Sequence, residues 1–313
     1  MKILFKYFFM ILIVIILLGI AISFGYKYDW TGFGSYTTPN GIHIRGKTLW
    51  DWAELLLIPV FLGLAAIWFN YYAGKVSREV ALDQYRETVL LKYFDDIAEL
   101  IKNDELLSVV QNKDPYSPSR IVAWQKTVAT SRMIDLNRKN LLLDFLYYSD
   151  LIYNNTNYTK NVINLYNSEF SNIDYKNSHL TNTNLRGVIF RDADLTGTRL
   201  YQANLSESNL QNAVLDNCNM FNADISKAEL KGANLRGVNL QLANLEEAKI
   251  TEKQLSNLVG LAGAIMPDGQ IYDGKFGYEK DLHEAIGCDV DIDDKEALAR
   301  WYKSAREELD YLT

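Results

Sequence analysis

Along the chain, apolar and polar positions change rhythm three times. From Tyr7 to Phe24 the sequence reads YFFMILIVIILLGIAISF with no charge, and Lys2 and Lys6 precede it. Such a run predicts a helix over residues 1–25 that crosses a bilayer core of roughly 30 Å with some help from its flanks. Ala21 and Ser23 offer a small-residue cleavage site, but the run exceeds the about 7–15 apolar residues of a signal-peptide core. A retained anchor is therefore the expectation. A second run, 49–72, has the apolar centre LLLIPVFLGLAAIWF from Leu55 to Phe69, with Trp50 and Trp52 at one end and Trp68, Tyr71 and Tyr72 at the other. Aromatic residues at both ends suit two membrane interfaces, and Pro59 is expected to kink the helix. Asp51 and Glu54 sit at its entrance beside Lys47, which places them in the headgroup region rather than in a functional intramembrane pair. Six basic residues flank the outer ends (Lys2, Lys6, Lys75, Arg78, Arg86, Lys92) against three between the runs (Lys27, Arg45, Lys47). That asymmetry puts both chain ends on the cytoplasmic side and the loop 26–48 outside, with the lipid bilayer as the first expected partner.

Over residues 76–153 the apolar spacing becomes helical. Leu90, Phe94, Ile97 and Ile101 share one face. Ser117 and Pro118 form an N-cap followed by proline at the first helical position, opening a helix through Trp124 and Val128. Leu141, Leu142, Phe145 and Leu146 mark a further helix. These helices could pack on one another, cap the next domain or pair between protomers. The polar stretch NNTNYTK, Asn154 to Lys160, reads as a connection.

From there an apolar residue recurs at every fifth position: Leu165, Phe170, Tyr175, Leu180, Leu185, Phe190, Leu195, Leu200, Leu205, Leu210, Leu215, Met220, Ile225, Leu230, Leu235, Leu240, Leu245, Ile250 and Leu255. Two positions earlier stands a small or β-branched residue, most clearly Ala193, Ala203, Ala213, Ala223, Ala228, Ala233, Ala243 and Ala248. A period of five fits neither an α-helix nor a strand, and fixed self-similarity is the signature of a stacked repeat.

The triplets Ala193-Asp194-Leu195, Ala203-Asn204-Leu205, Ala223-Asp224-Ile225, Ala233-Asn234-Leu235 and Ala243-Asn244-Leu245 resemble the A(D/N)LXX unit of the pentapeptide-repeat family. The resemblance implies a right-handed quadrilateral β-helix over 161–255, with four pentads per square coil and the central and small residues both pointing inward. At about 4.8 Å per coil the stack would be roughly 20–24 Å tall. A single coil cannot bury its own apolar face, so only stacking supplies a continuous core. The Asp or Asn before each central residue is expected to serve backbone geometry. At the far end Thr251 and Gln254 form a capping-box pattern that opens a short helix, expected to lid the last coil.

Residues 256–313 begin with turn signals at Pro267-Asp268-Gly269 and Asp273-Gly274 around Gln270-Ile271-Tyr272, which suggest a hairpin or an extended excursion. The run Asp289-Val290-Asp291-Ile292-Asp293-Asp294 superficially suggests a calcium loop. It has Asp294 where the loop needs glycine and Arg300 where it needs a bidentate glutamate. Asp293 as N-cap with Glu296 as its capping-box partner, opening a helix through Leu298, Trp301 and Tyr302, is the better reading.

Charge changes the functional picture more than the fold. Of 32 basic and 39 acidic residues, 160–255 carry 10 and 11, and 256–313 carry 6 and 13. No segment has the basic stripe that neutralises phosphates, so nucleic acid is not an expected partner. Cys218 and Cys288 have no CxxC partner; Cys218 falls at a small inward position and reads as core filler. His43, His179 and His283 lie in separate regions, and neither GxxxxGK[ST] nor GxGxxG is present. No catalytic site, metal or cofactor is expected. The favoured reading is a membrane-anchored bacterial scaffold that presents β-helix faces to a cytoplasmic or membrane protein. A second reading follows from family members that resemble a DNA duplex in shape and charge and act on type II topoisomerases, which requires a continuous acidic stripe on the folded coil. An enzyme without a legible site is the third.

Overall fold

The computed structural model describes residues 16, 20, 23, 35–44, 46, 49–102, 117–153 and 162–312, and the chain divides into two compact units, Met1–Ala81 and Leu82–Thr313. In the first unit, strands β1 (Tyr36–Thr37) and β2 (His43–Ile44) pair antiparallel, Tyr36 opposite Ile44 and Thr37 opposite His43. Gly41, at φ +76°, closes the turn between them, with its N–H on the Thr38 carbonyl at 2.9 Å. Helix α1 (Leu49–Lys102) follows and runs through Pro59 without ending.

The transmembrane expectation needs correction. Among the described residues no helix is long and apolar enough to cross a membrane. Within α1 the uncharged apolar run gives way to Asn70, Lys75 and Arg78. The assignment of 49–72 as a spanning helix, and of the chain as an integral membrane protein with both ends cytoplasmic, does not stand. The proposed first anchor, residues 1–25, lies outside the described residues except for three positions.

In the second unit the pentads stack as read. Parallel bridges join residues twenty apart (Glu169 to Ile189 to Asn209 to Glu229 to Lys249, and likewise from Asp174, His179 and Asn184), which makes four pentads per coil. The central residues from Leu165 to Leu245 are buried, Ile250 is half-buried, and the alanines two positions earlier are buried beside them. From Val188 to Ala248 each pentad turns its corner with a β-turn in which the N–H of the small residue reaches back to the preceding central carbonyl, as from Ala193 to Phe190 at 3.1 Å. The second turn residue has positive φ at every corner from Asn167 to Glu247. Asparagine and glycine supply most of these positions because they tolerate the left-handed region. The Asp or Asn before the central residue accepts from the backbone two residues on, as Asn204 does from Ser206 at 3.0 Å and Asn234 from Arg236 at 3.3 Å. This is an Asx turn, so that side chain is committed to the corner.

Both ends are closed by the rest of the unit. At the start stand the second half of α1, α2 (Pro118–Met133) and α3 (Leu136–Tyr148). Ser117 caps α2 ahead of Pro118, and Asp135 caps α3. Leu90, Tyr93 and Ile97 of α1 are buried with Ala123 of α2 and Leu142, Leu143 and Leu146 of α3. The helices also serve the unpaired edge of the first coil, Trp124 Nε1 donating to the Tyr166 carbonyl and Asn140 Nδ2 to the Asp174 carbonyl, each at 2.8 Å. Ile152 accepts the Asn184 N–H at 2.7 Å, standing in for the absent coil below.

At the other end the strict period stops. Asn239 pairs with Gly260 and Asn244 with Ile265, twenty-one residues on rather than twenty. The extra residue accommodates α4 (Glu252–Leu255), whose capping box of Thr251 and Gln254 is formed. Gln254 Nε2 also donates to the Leu230 and Ala233 carbonyls at 2.7 and 2.9 Å. Thus α4 takes the place of one wall of the last coil rather than lidding it, and the solenoid continues past 255. A hairpin follows, with Ile265 antiparallel to Ile271. Helices α5 (Glu279–Gly287) and α6 (Lys295–Leu312) then close the end. Asp294, not Asp293, accepts from the N–H groups of Glu296 and Ala297 and caps α6.

Candidate functional site

Because the central and small residues are consumed by the coil, the outward chemistry lies on the bridge columns, whose Asx side chains also brace the turns, and on the turn residues. One bridge column reads Glu169, Ile189, Asn209, Glu229, Lys249, a second Asp174, Asp194, Val214, Asn234, and a third His179, Arg199, Asn219, Asn239. Acidic groups are interspersed with neutral and basic ones, and the third column has no acidic group. Several are ion-paired: Lys176 with Asp174 in its own coil at 3.1 Å and with Asp194 of the next at 3.0 Å, and, between coils, Arg186 with Glu207 at 2.7 Å and Lys249 with Glu229 at 2.6 Å. No continuous acidic stripe runs along these columns, so the charge pattern that a duplex mimic requires is missing from them. One corner differs: Thr181, Tyr201 and Phe221 stack there, the Tyr201 and Phe221 rings 5.5 Å apart and nearly parallel at 7°.

The residues singled out by sequence for chemistry are scattered. Cys218 is buried in the coil, its Sγ donating to the Leu195 carbonyl at 2.9 Å, and burial pushes its thiol up to about 12. His43 bonds Thr37 in the first unit's hairpin, His179 is exposed on a coil face, and His283 lies 3.8 Å from Glu279 on α5. Among the described residues no three His, Cys, Asp or Glu side chains gather as a metal site.

The aromatic corner runs into a cleft of about 420 Å³ between the last coils and the C-terminal helices, lined by Phe221, Gln241, Leu242, Ala262, Glu284, Cys288, Trp301, Ser304 and Ala305. Its polar floor is built on Gln241, which the coil buries. The Gln241 amide donates to Asp281 Oδ1 at 2.8 Å and to Glu284 Oε2 at 2.7 Å. The other oxygen of Asp281 accepts the Leu261 N–H at 2.9 Å. Burial raises the Asp281 carboxyl above the ordinary range, against the lowering effect of these donors. Gly260 is required here, since a Cβ would stand 2.7 Å from Asp281 and 2.9 Å from Gln241. A second cleft, about 460 Å³ and lined in part by Ile250, Met266, Tyr272 and Phe276, has the Lys275–Glu252 ion pair among its lining residues at 2.7 Å. Sequence reading missed the first cleft because its members come from the repeat and from two tail helices, and no local spacing links them. The nearest signal was the aromatic pair twenty residues apart.

Residues 168–250 match the model of the pentapeptide repeat region family. No curated protein matches the chain. Among solved structures, the pentapeptide repeat protein alr5209 from Nostoc Pcc 7120 is 22% identical, over 29% of this chain and 82% of that one, with a TM-score of 0.20. Rfr23, a pentapeptide repeat protein from the cyanobacterium Cyanothece 51142, is 28% identical over 34% of this chain and 65% of that one, with a TM-score of 0.18. HetL, a pentapeptide repeat protein involved in heterocyst differentiation regulation from Nostoc sp. Strain PCC 7120, is 28% identical over 35% and 56%, with a TM-score of 0.16. The chain thus spans just under two thirds of Rfr23 and a little over half of HetL.

Proposed function

We propose that this pentapeptide-repeat solenoid is a non-catalytic interaction module whose side surface binds another protein. One observation carries the reading: both ends of the coil are closed by the chain's own helices, while its corners present varied side chains outward. A solenoid with closed ends has only its sides to offer, and a rigid backbone ladder presents them without ordering cost on binding. The mixed, ion-paired charge of the coil columns favours a protein over a nucleic-acid enzyme's DNA channel as the target. The fold name by itself supplies no activity, so the test must resolve corners. Affinity capture from a native extract should be run with the full chain and with four variants, Arg186→Glu, Arg191→Glu, Arg236→Glu and Phe221→Glu, one per corner. The reading expects a partner lost with one variant and kept with the other three. A partner indifferent to all four would overturn it.

A further inference from the structure

We infer that the cleft at the aromatic corner receives an arginine or lysine side chain presented by the partner protein, an inference that rests on the interaction-module reading above. Three features of the cleft argue for a cation. First, Glu284 is exposed in the cleft and uses one carboxylate oxygen on Gln241 at 2.7 Å, while the other takes no hydrogen bond or ion pair among the described residues. Second, Asp281 lies behind it, fully buried, and is bonded by the neutral Gln241 amide and the Leu261 N–H rather than by a cation. A single amide thus serves two carboxylates, and negative charge in a low-dielectric recess attracts a cation more strongly than the same charge on open surface. Third, two half-buried aromatic rings line the same space, Phe221 held by its stack on Tyr201, and Trp301 packed on Tyr302 at 5.1 Å. Aromatic faces beside a carboxylate are the environment in which guanidinium and ammonium groups are bound. The nearby Arg306 guanidinium is engaged on the Leu242 carbonyl at 2.6 Å. The cleft, about 420 Å³, has room for a long side chain.

Cys288 supplies a reporter in the unmodified protein, because it lines the cleft and is exposed while Cys218 is buried. The experiment is the rate of N-ethylmaleimide labelling of Cys288 in the full chain, read by mass spectrometry, with N-acetyl-arginine methylamide as the probe and N-acetyl-norleucine methylamide as the uncharged control. With a dissociation constant on the order of 10 mM, about 20 mM of arginine probe slows labelling about threefold. The norleucine probe is expected to leave the rate unchanged. Glu284→Gln is expected to abolish the protection relative to its own unprotected rate, with unchanged hydrogen-exchange protection of α5 showing that the cleft is still folded. Equal slowing by both probes, or none by the arginine probe, overturns the inference. Corner-dependent capture that persists beside such a result leaves the broader reading standing, so the two failures are told apart.

Discussion

The two ends of the solenoid are closed by different chemistry. At the first coil an apolar layer of Leu90, Ile97, Leu142, Leu143 and Leu146 seals the end, and its polar bonds run mostly to main-chain carbonyls. At the last coil the closure is a buried polar network, Gln241 with Asp281 and Glu284, framed by Tyr272, Tyr278 and Tyr302. An apolar seal excludes water and leaves little for a ligand to recognise. A polar closure needs space and directed groups, and here it leaves a cleft. The comparison teaches that in a repeat whose walls are uniform, individuality resides where the repeat is interrupted.

That contrast can be broken in several ways. The largest effect is expected from Leu143→Ala, which opens a void in the apolar seal and should cost about 2–5 kcal/mol of unfolding free energy in denaturant titration. Gln241→Ala should cost less, about 1–3 kcal/mol, because it strands the hydrogen-bond capacity of two carboxylates. Hydrogen exchange followed by mass spectrometry should locate that loss in α5 and the last coil, leaving α2 and α3 unchanged. Acid separates the ends by sign. At the first end, burial alone would raise Asp135, but the Arg138 N–H and guanidinium outweigh it and hold the carboxyl below its ordinary range. Its stabilising contribution is present above the unfolded pKa and is lost as pH falls through the depressed folded value. Asp281 is raised by burial, so its end gains stability as pH falls through the raised value, the gain being complete below the unfolded pKa. Exchange protection, corrected for intrinsic rates, should therefore rise at α5 as pH falls toward the unfolded carboxyl pKa, with Asp281→Asn removing the rise, and should fall at α3 only once pH drops below it. The smallest change is expected between the ends. Lys227 holds φ +59° at an exposed corner, and Lys227→Gly should stabilise the chain by about 0.5–1 kcal/mol in the same titration.

The solenoid was legible because its period is written in residue types: inward leucines every fifth place, alanines two before, and Asx residues whose corner role the structure bears out in bonds such as Asn204 to Ser206. The second turn residue was equally legible yet passed over; Asn172, Asn177, Gly187 and Gly197 mark it, and only their shared positive φ explains them. The end of the repeat was not legible. Leu255 keeps the five-residue step in sequence, but the ladder slips by one residue to Gly260 to fit α4, and a register is a property of paired backbones. The cleft was hidden for a related reason: Phe221, Glu284 and Trp301 are far apart in the chain and meet only through the docking of α5 and α6. The apolar run of α1 shows the opposite error, where hydropathy alone suggested a span that the described helix does not provide.

The most direct test of the interaction-module reading is site-specific photo-cross-linking in native extract, with a photoreactive phenylalanine placed in turn at Arg186, Arg191, Arg236 and Phe221, one position per corner. The account predicts a discrete protein adduct at one corner, Phe221, with the other three giving none. Absence of a protein adduct at all four, with the labelled chain folded, would contradict it.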